Sequence, residues 1–272
     1  MNLEGILINK TPYKDRDIIG KLLLRSGKVV DLYFYGGRGG GKLQKGSILE
    51  VGYMLKVTLA PARKKGIQSM QIAKEWNLVW EAKHIRKNFQ AFYLLSFIFE
   101  LTSKIAIEFD PEDASDEDQA GVFKIVSNSL FHLDKNLEGE DVNLFDHLFL
   151  FLGKLTYELG ILPDLKDCLY CHKGLDGFEL MKFEPQNGGF TCRECLLQAD
   201  QSISSNKNLF NDLQASAELR KRMTHSLSLK FSQILDFKDT TRGNCDAIFS
   251  YFCYQFNFQK TDFKTWTMLV AL

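Results

Sequence analysis

Two cysteine pairs are the residues in this chain best spaced for chemistry. Cys168-Leu-Tyr-Cys171 is followed, twenty residues later, by Cys192-Arg-Glu-Cys195. Two C-x2-C turns at this separation match a tetrahedral four-thiolate zinc site, because each turn points two sulfurs at one centre. A bound cation favours thiolate over thiol by its charge. Four protein sulfurs leave no open coordination position, so the expected zinc, one per chain on Cys168, Cys171, Cys192 and Cys195, is structural and not catalytic. Between the pairs, Gly177 to Phe183 reads as a strand and Pro185 to Gly189 as a turn, the layout of a zinc ribbon. His172 adjoins Cys171 but is not needed as a ligand. The other two of the six cysteines, Cys245 and Cys253, lie in a Phe- and Tyr-rich helical stretch and read as small core hydrophobes.

Gly36 to Lys42 (GGRGGGK) satisfies G-x4-G-K, yet Leu43 follows where a phosphate-binding loop places Ser or Thr. The chain then runs into a strand pattern instead of the helix whose N-terminus would face phosphate. A nucleotide hydrolase is therefore rejected. Neither G-x-S-x-G nor H-E-x-x-H occurs, the zinc deaminase signature is missing, and His84, His132, His147, His172 and His225 show no metal-ligand spacing. The expectation is a protein that is not an enzyme.

The glycine loop instead offers cations. Arg38, Lys42 and Lys45 fall in or beside it, Lys14 and Arg16 in an earlier turn, and Arg63, Lys64 and Lys65 in a later one. Residues 1–80 hold 14 Lys and Arg against 6 Asp and Glu, whereas residues 81–272 hold 20 against 28. The net charge of zero thus hides a basic front part, +8, joined to an acidic remainder, −8. That division suggests a polyanion-binding module on an acidic body. Tyr13, Tyr33 and Tyr35 either pack in the core, as strand aromatics often do, or present stacking faces.

The elements that must position these residues are legible from period. Leu3 to Ile8, Ile18 to Leu24, Val29 to Tyr35, Ile48 to Leu59 and Ile67 to Trp76 read as five strands, punctuated by Gly, Pro and Ser. A closed barrel removes their exposed edges, with an OB-fold leading and an SH3-like barrel second. From about Lys83 the pattern turns helical, over a Phe- and Leu-rich stretch from Ile85, then Ala120 to Asp134, Val142 to Gly160, Asn208 to Met223, Leu227 to Asp236 and Cys245 to Phe256. Glu108 to Asp118, with seven acids in eleven residues, reads as a solvated loop in which Asp116 or Asp118 caps the next helix. The expected fold class is α+β by segregation. A five-stranded OB-fold barrel over 1–80 precedes an all-α domain over 81–272, with the zinc-ribbon insert at about 164–198. No apolar run reaches about 18 residues, and the first residues lack a signal peptide's apolar stretch, so a cytoplasmic protein without a membrane is expected.

Certain residues resemble a known family in the order they occur. Glu4-Gly5-Ile6-Leu7, Tyr13-Lys14-Asp15-Arg16-Asp17 and Ser26-Gly27-Lys28 resemble the start of the bacterial recombination mediator RecO. So do Gly36 to Lys42 with Leu43-Gln44 and Leu49-Glu50, then Leu159-Gly160, Pro163-Asp164, and both cysteine pairs, the second preceded by Gly188-Gly189. The resemblance implies an N-terminal OB-fold, a helical C-terminal domain with a zinc ribbon, and work on DNA at the nucleoid. It further implies binding of single- and double-stranded DNA, annealing of complementary strands, and contact with the C-terminal tail of single-stranded-DNA-binding protein. With RecR, such proteins help load RecA onto coated gaps in the RecF pathway of repair. The family's loop is often more basic than this one, where three of the four residues after Arg38 are Gly. The acidic body should repel DNA and receive the partner tail in an apolar groove, with Arg220, Lys221 and Arg222 either as its cationic rim or as a solvated helix end. A zinc-containing OB-fold protein of RNA or translation is the alternative, in which the same barrel grips RNA.

Overall fold

The structure is a computed structural model that describes residues 1–38, 48–61, 70–109, 120–139, 142–199 and 207–271. It divides into two compact units, Met1–Val142 together with Phe263–Leu272, and Asn143–Asp262. The change of period near residue 81 marks where strands give way to helices, and the first unit includes both kinds of element.

Five strands make the front of the first unit: β1 (Asn2–Tyr13), β2 (Asp17–Leu24), β3 (Val29–Phe34), β4 (Met54–Leu59) and β5 (Gln71–Trp80). They close into a barrel of order β1-β2-β3-β5-β4, the five-stranded closure expected of an OB-type barrel. The 12 residues of β1 allow it to pair with β2 through Tyr13↔Asp17 and with β4 through Asn2↔Thr58. Only β3 with β5 runs parallel, at Leu32↔Gln71 to Phe34↔Ala73. Alternation sorts the side chains. Leu7, Ile18, Leu22, Leu32, Phe34, Leu55, Val57 and Trp76 fill the barrel, with Phe34 set edge-on to Trp76 at 5.2 Å. Gly5 sits where β1 and β2 approach closely, since a Cβ there would stand 2.5 Å from the Leu23 carbonyl oxygen.

The expected strand from Ile48 begins only at Met54. Leu49 still enters the core, but a turn at Val51–Gly52 redirects the chain, and Gly52 N–H and Tyr53 O bond to Leu7 of β1 instead. The acidic stretch from residue 110 to 118, with the cap expected at Asp116 or Asp118, lies outside the described residues.

Two long helices and a short one complete this unit: α1 (Phe89–Ile105), α2 (Ala120–Asn136) and α7 (Lys264–Val270). Asn88 caps α1 by accepting the Ala91 N–H, and its apolar wealth is buried, as Leu94, Leu95, Phe97, Ile98 and Leu101 show. Asp134 of α2 accepts the N–H groups of His84 and Ile85 and so fixes the short 3-10 turn before α1. The sequence pattern assigns no helix after Phe256, yet α7 packs on α1 through Phe97–Trp266 at 5.2 Å, with Glu100 accepting from Lys264 and Thr265.

The second unit holds α3 (Leu144–Glu158), a hairpin of β6 (Met181–Glu184) and β7 (Gly189–Cys192), α4 (Arg193–Ala199), α5 (Lys207–Ser228) and α6 (Arg242–Gln255). Asn143 and Thr241 cap α3 and α6. Buried residues run without a break from Leu148 to Leu152, so α3 is a central helix of this unit. Burial holds the Cys245 and Cys253 thiols protonated, Cys253 up at about 12, as core residues. Among the described residues no helix is long and apolar enough to cross a membrane.

Candidate functional site

At one end of the barrel the chain turns from β1 to β2 through Lys14, Asp15 and Arg16, all exposed, with Lys14 in the left-handed region at φ 51°. Asp17, the first residue of β2, reaches across to the end of β3. One carboxylate oxygen accepts the Tyr33 hydroxyl at 2.5 Å, and the other accepts the Gly36 N–H at 2.8 Å. Two residues on, Arg38 N–H donates to Arg16 O at 2.9 Å. The turn and the start of the glycine loop are thereby held side by side, so that the backbones of Arg16 and Arg38 meet, with Lys14 in the same turn. Lys42, Lys45, Arg63, Lys64 and Lys65 lie outside the described residues.

The tyrosines resolve the choice left by the sequence. Tyr13 and Tyr35 are 42% and 59% exposed, so neither is a core residue. Tyr33 lies between them, edge-on to Tyr13 at 5.5 Å and tilted against Tyr35 at 4.4 Å. The Lys14 ammonium sits over the Tyr13 ring at 5.4 Å. Chemically, this end offers cations for phosphate and ring faces for bases. Sequence alone does not single out Asp17, although an Asp closing a turn is a signal that it will accept local N–H groups.

The four cysteines also converge. Cys168 lies in a turn closed by His172 N–H to Cys168 O at 3.0 Å, and Cys171 lies in that same turn. Leu169 N–H then bonds Phe190 O at 3.0 Å and ties the turn to β7. Cys192 ends β7, and Cys195 falls in the first turn of α4, a short helix that the sequence pattern does not reveal. Gly188 makes the hairpin turn possible with φ 66°. The Sγ atoms all lie within 4.8 Å of one another, with Cys168–Cys195 at 3.9 Å and Cys171–Cys192 at 3.8 Å. A tetrahedral ion with bonds of about 2.3 Å to sulfur needs edges of about 3.8 Å, so these four residues fit a metal ion such as zinc.

Electrostatics point the same way. Burial raises the Cys168 thiol, but N–H groups of Cys171, Cys192 and Tyr170 aimed at its sulfur outweigh this and hold it at about 6. Cys195 is pushed up to about 12 by burial and by hydrogen bonds among the sulfurs. Four thiolates this close need a cation to coexist. Glu184 braces the cluster, accepting from Thr191 at 2.6 Å, Asn187 at 2.7 Å and Tyr170 at 3.3 Å.

Arg220, Lys221 and Arg222 do not share a face. Arg220 is buried, donating through Nε to Leu165 O and through Nη2 to Asp176, each at 2.6 Å. Arg222 donates to the carbonyls of Lys238 and Asp239 and to Thr240 Oγ1. Both arginines hold this unit together, and only Lys221 is exposed. The groove beside Lys221 is of mixed character, lined by Glu179, Asn211, Gln214 and Glu218 together with Ala215 and Ala217.

A family model described as "Recombination protein O C terminal" matches residues 86–236, more than half of the chain and the stretch that carries all four cysteines. The chain belongs to the RecO family. No curated protein matches it. The match begins just after β5, so the barrel's assignment to a RecO-type front end rests on its own five-stranded closure.

The Asp17 clamp in this RecO-family chain carries a pH signature. Hydrogen bonds from Tyr33, then Gly36, hold the Asp17 carboxyl below the ordinary aspartate range of about 4. A depressed folded value stabilises the fold fully above the unfolded pKa and loses that contribution as pH falls through the folded one. Urea unfolding followed by fluorescence reports this unit, because Trp76, Trp80 and Trp266 all lie in it. The deficit of Asp17→Asn should be full at pH 7 and shrink progressively below about pH 4. A deficit independent of pH would mean that the clamp is not ionic.

Proposed function

We propose that this RecO-family protein is a non-enzymatic mediator of recombinational repair that binds DNA on its barrel. In this reading it anneals complementary single strands and, with RecR, helps RecA onto DNA coated with single-stranded-DNA-binding protein. It works in the cytoplasm, at the nucleoid, on single- and double-stranded DNA. The observation that carries the reading is the meeting of the turn that holds Lys14 and Arg16 with Arg38, beside exposed tyrosines at one barrel end. Cations neutralise phosphate and release counterions, while rings accept bases of any sequence. Lys42, Lys45, Arg63, Lys64 and Lys65, which lie outside the described residues, are further DNA contacts in this reading. Contact with the tail of single-stranded-DNA-binding protein belongs to the acidic part, where Lys221 is the exposed member of the 220–222 cluster. Family membership favours this reading over an RNA or translation role for the same barrel.

The cysteine cluster holds one structural zinc in this account. With four sulfurs bound, the ion has no position for a substrate, and its work is to join the two cysteine turns.

Two measurements test these statements. Removing one cation that neutralises a phosphate of a single strand lowers the slope of log K against log salt by about 0.7. Arg16→Ala with Arg38→Ala should therefore weaken DNA binding and flatten the slope by about one to one and a half. An unchanged slope would put the DNA elsewhere. Metal analysis of natively purified protein should return one zinc per chain. Cys192→Ser should release it and loosen residues 164 to 198 in hydrogen exchange, while tryptophan fluorescence from the other unit stays native. A full complement of zinc in that variant, or none in the wild type, would refute the site.

A further inference from the structure

Among the described residues, the barrel end holds little net charge. Against Lys14, Arg16 and Arg38 stand Asp15 in the same turn and Asp17 at its close. Asp17 is committed to Tyr33 and Gly36, but its charge remains. Three cations against two anions leave a net of one among these five residues.

The aromatic groups are built more firmly than the cations. Alternation along β3 sends Leu32 and Phe34 into the barrel and Tyr33 outward, and Tyr35 continues the outward row. Pairing of Tyr13 with Asp17 brings the end of β1 to the same place. The Tyr33 hydroxyl is tied to Asp17, so the middle ring is fixed, and the outer two rest against it. Tyrosine orders at little entropic cost, having two side-chain torsions. The result is a row of three rings whose outer members are open to solvent, flanked by exposed cations.

We infer that Tyr13 and Tyr35 stack on unpaired bases of single-stranded DNA, with Tyr33 positioning both. The inference rests on the DNA-binding reading above and sharpens it to the class of strand. Bases in a duplex are stacked on each other and offer no free face, so duplex DNA meets only the cations. Single strands meet both. The Lys14 ammonium, resting on one face of Tyr13, moves onto phosphate when a base takes that face. The surface thus distinguishes unpaired from paired DNA without reading sequence.

The test uses the full-length protein and three fluorescent probes: a 20-nucleotide oligothymidine, an abasic strand of the same length, and a 20-base-pair duplex. Wild type should bind oligothymidine at least about tenfold more tightly than the abasic strand, the order of one base stacked on a ring. Tyr13→Leu with Tyr35→Leu should remove that advantage, bringing oligothymidine binding down to that of the abasic strand. Tyr35→Phe should retain it. Tyr35→Trp should bind oligothymidine with its fluorescence quenched, and show no quenching with the abasic strand. Equal wild-type affinity for oligothymidine and abasic strand would overturn the stacking inference and leave the DNA-binding function standing. So would undiminished oligothymidine binding by the double leucine variant. Wild-type protein that binds none of the three probes would overturn the function as well.

Discussion

The Asp17 carboxylate, gripped by the Tyr33 hydroxyl and the Gly36 amide, is the interaction on which this end of the barrel depends. Each residue ordered in a surface turn costs about 1–2 kcal/mol of conformational entropy, so two separate turns would not hold a common geometry unaided. Asp17 makes one body of them. It stands at the start of β2, bonds to both ends of the row 33–36, and leaves Arg38 placed to bond the Arg16 carbonyl. Cations and rings then share a surface because a single anion collects their backbones. The arrangement requires closure of the barrel behind it, since Tyr33 is aimed outward only while Leu32 and Phe34 are held inward.

The two cysteine turns depend on a different principle. The barrel is held by apolar burial, with Phe34, Leu22, Leu55 and Val57 at or near zero exposure. The ribbon has far less to bury. Leu165, Leu175, Met181 and Phe190 are its main apolar residues, and small elements of this kind rely on a metal or another staple. Sulfurs spaced at 3.8 and 3.9 Å supply the cage, and N–H groups around Cys168 supply part of the charge compensation. The helices of the second unit support it from outside through Arg220, whose guanidinium closes on Leu165 O just ahead of the first cysteine turn.

Much of this is legible in the sequence, for physical reasons that can be named. The five strands alternate or run β-branched between Gly and Pro, and the two C-x2-C pairs carry their geometry in their spacing. What the sequence hides depends on tertiary partners or on competition within a helix. Val51–Gly52 interrupts an apolar run whose backbone bonds go to Leu7, a partner no local pattern reveals. The sequence breaks α5 near Thr224 and Ser226, residues of poor helical propensity. In the structure their hydroxyls bond back to Arg220 O and Met223 O, and the helix runs on to Ser228. α4 and α7, seven residues each, are too short to show a period. Arg220, Lys221 and Arg222 are adjacent in sequence, but a helix rotates successive residues by about 100°, so two turn to internal acceptors and one to solvent.

The central claim is that nucleic acid meets this RecO-family protein at the Asp17 end of the barrel. Photocrosslinking to a single strand containing 5-iodouracil, with mass-spectrometric mapping of the attached residue, tests it most directly. The account predicts adducts on Tyr13, Tyr33 or Tyr35, abolished when unlabelled single strand competes. Adducts confined to residues 143–262, with none on the barrel, would contradict it.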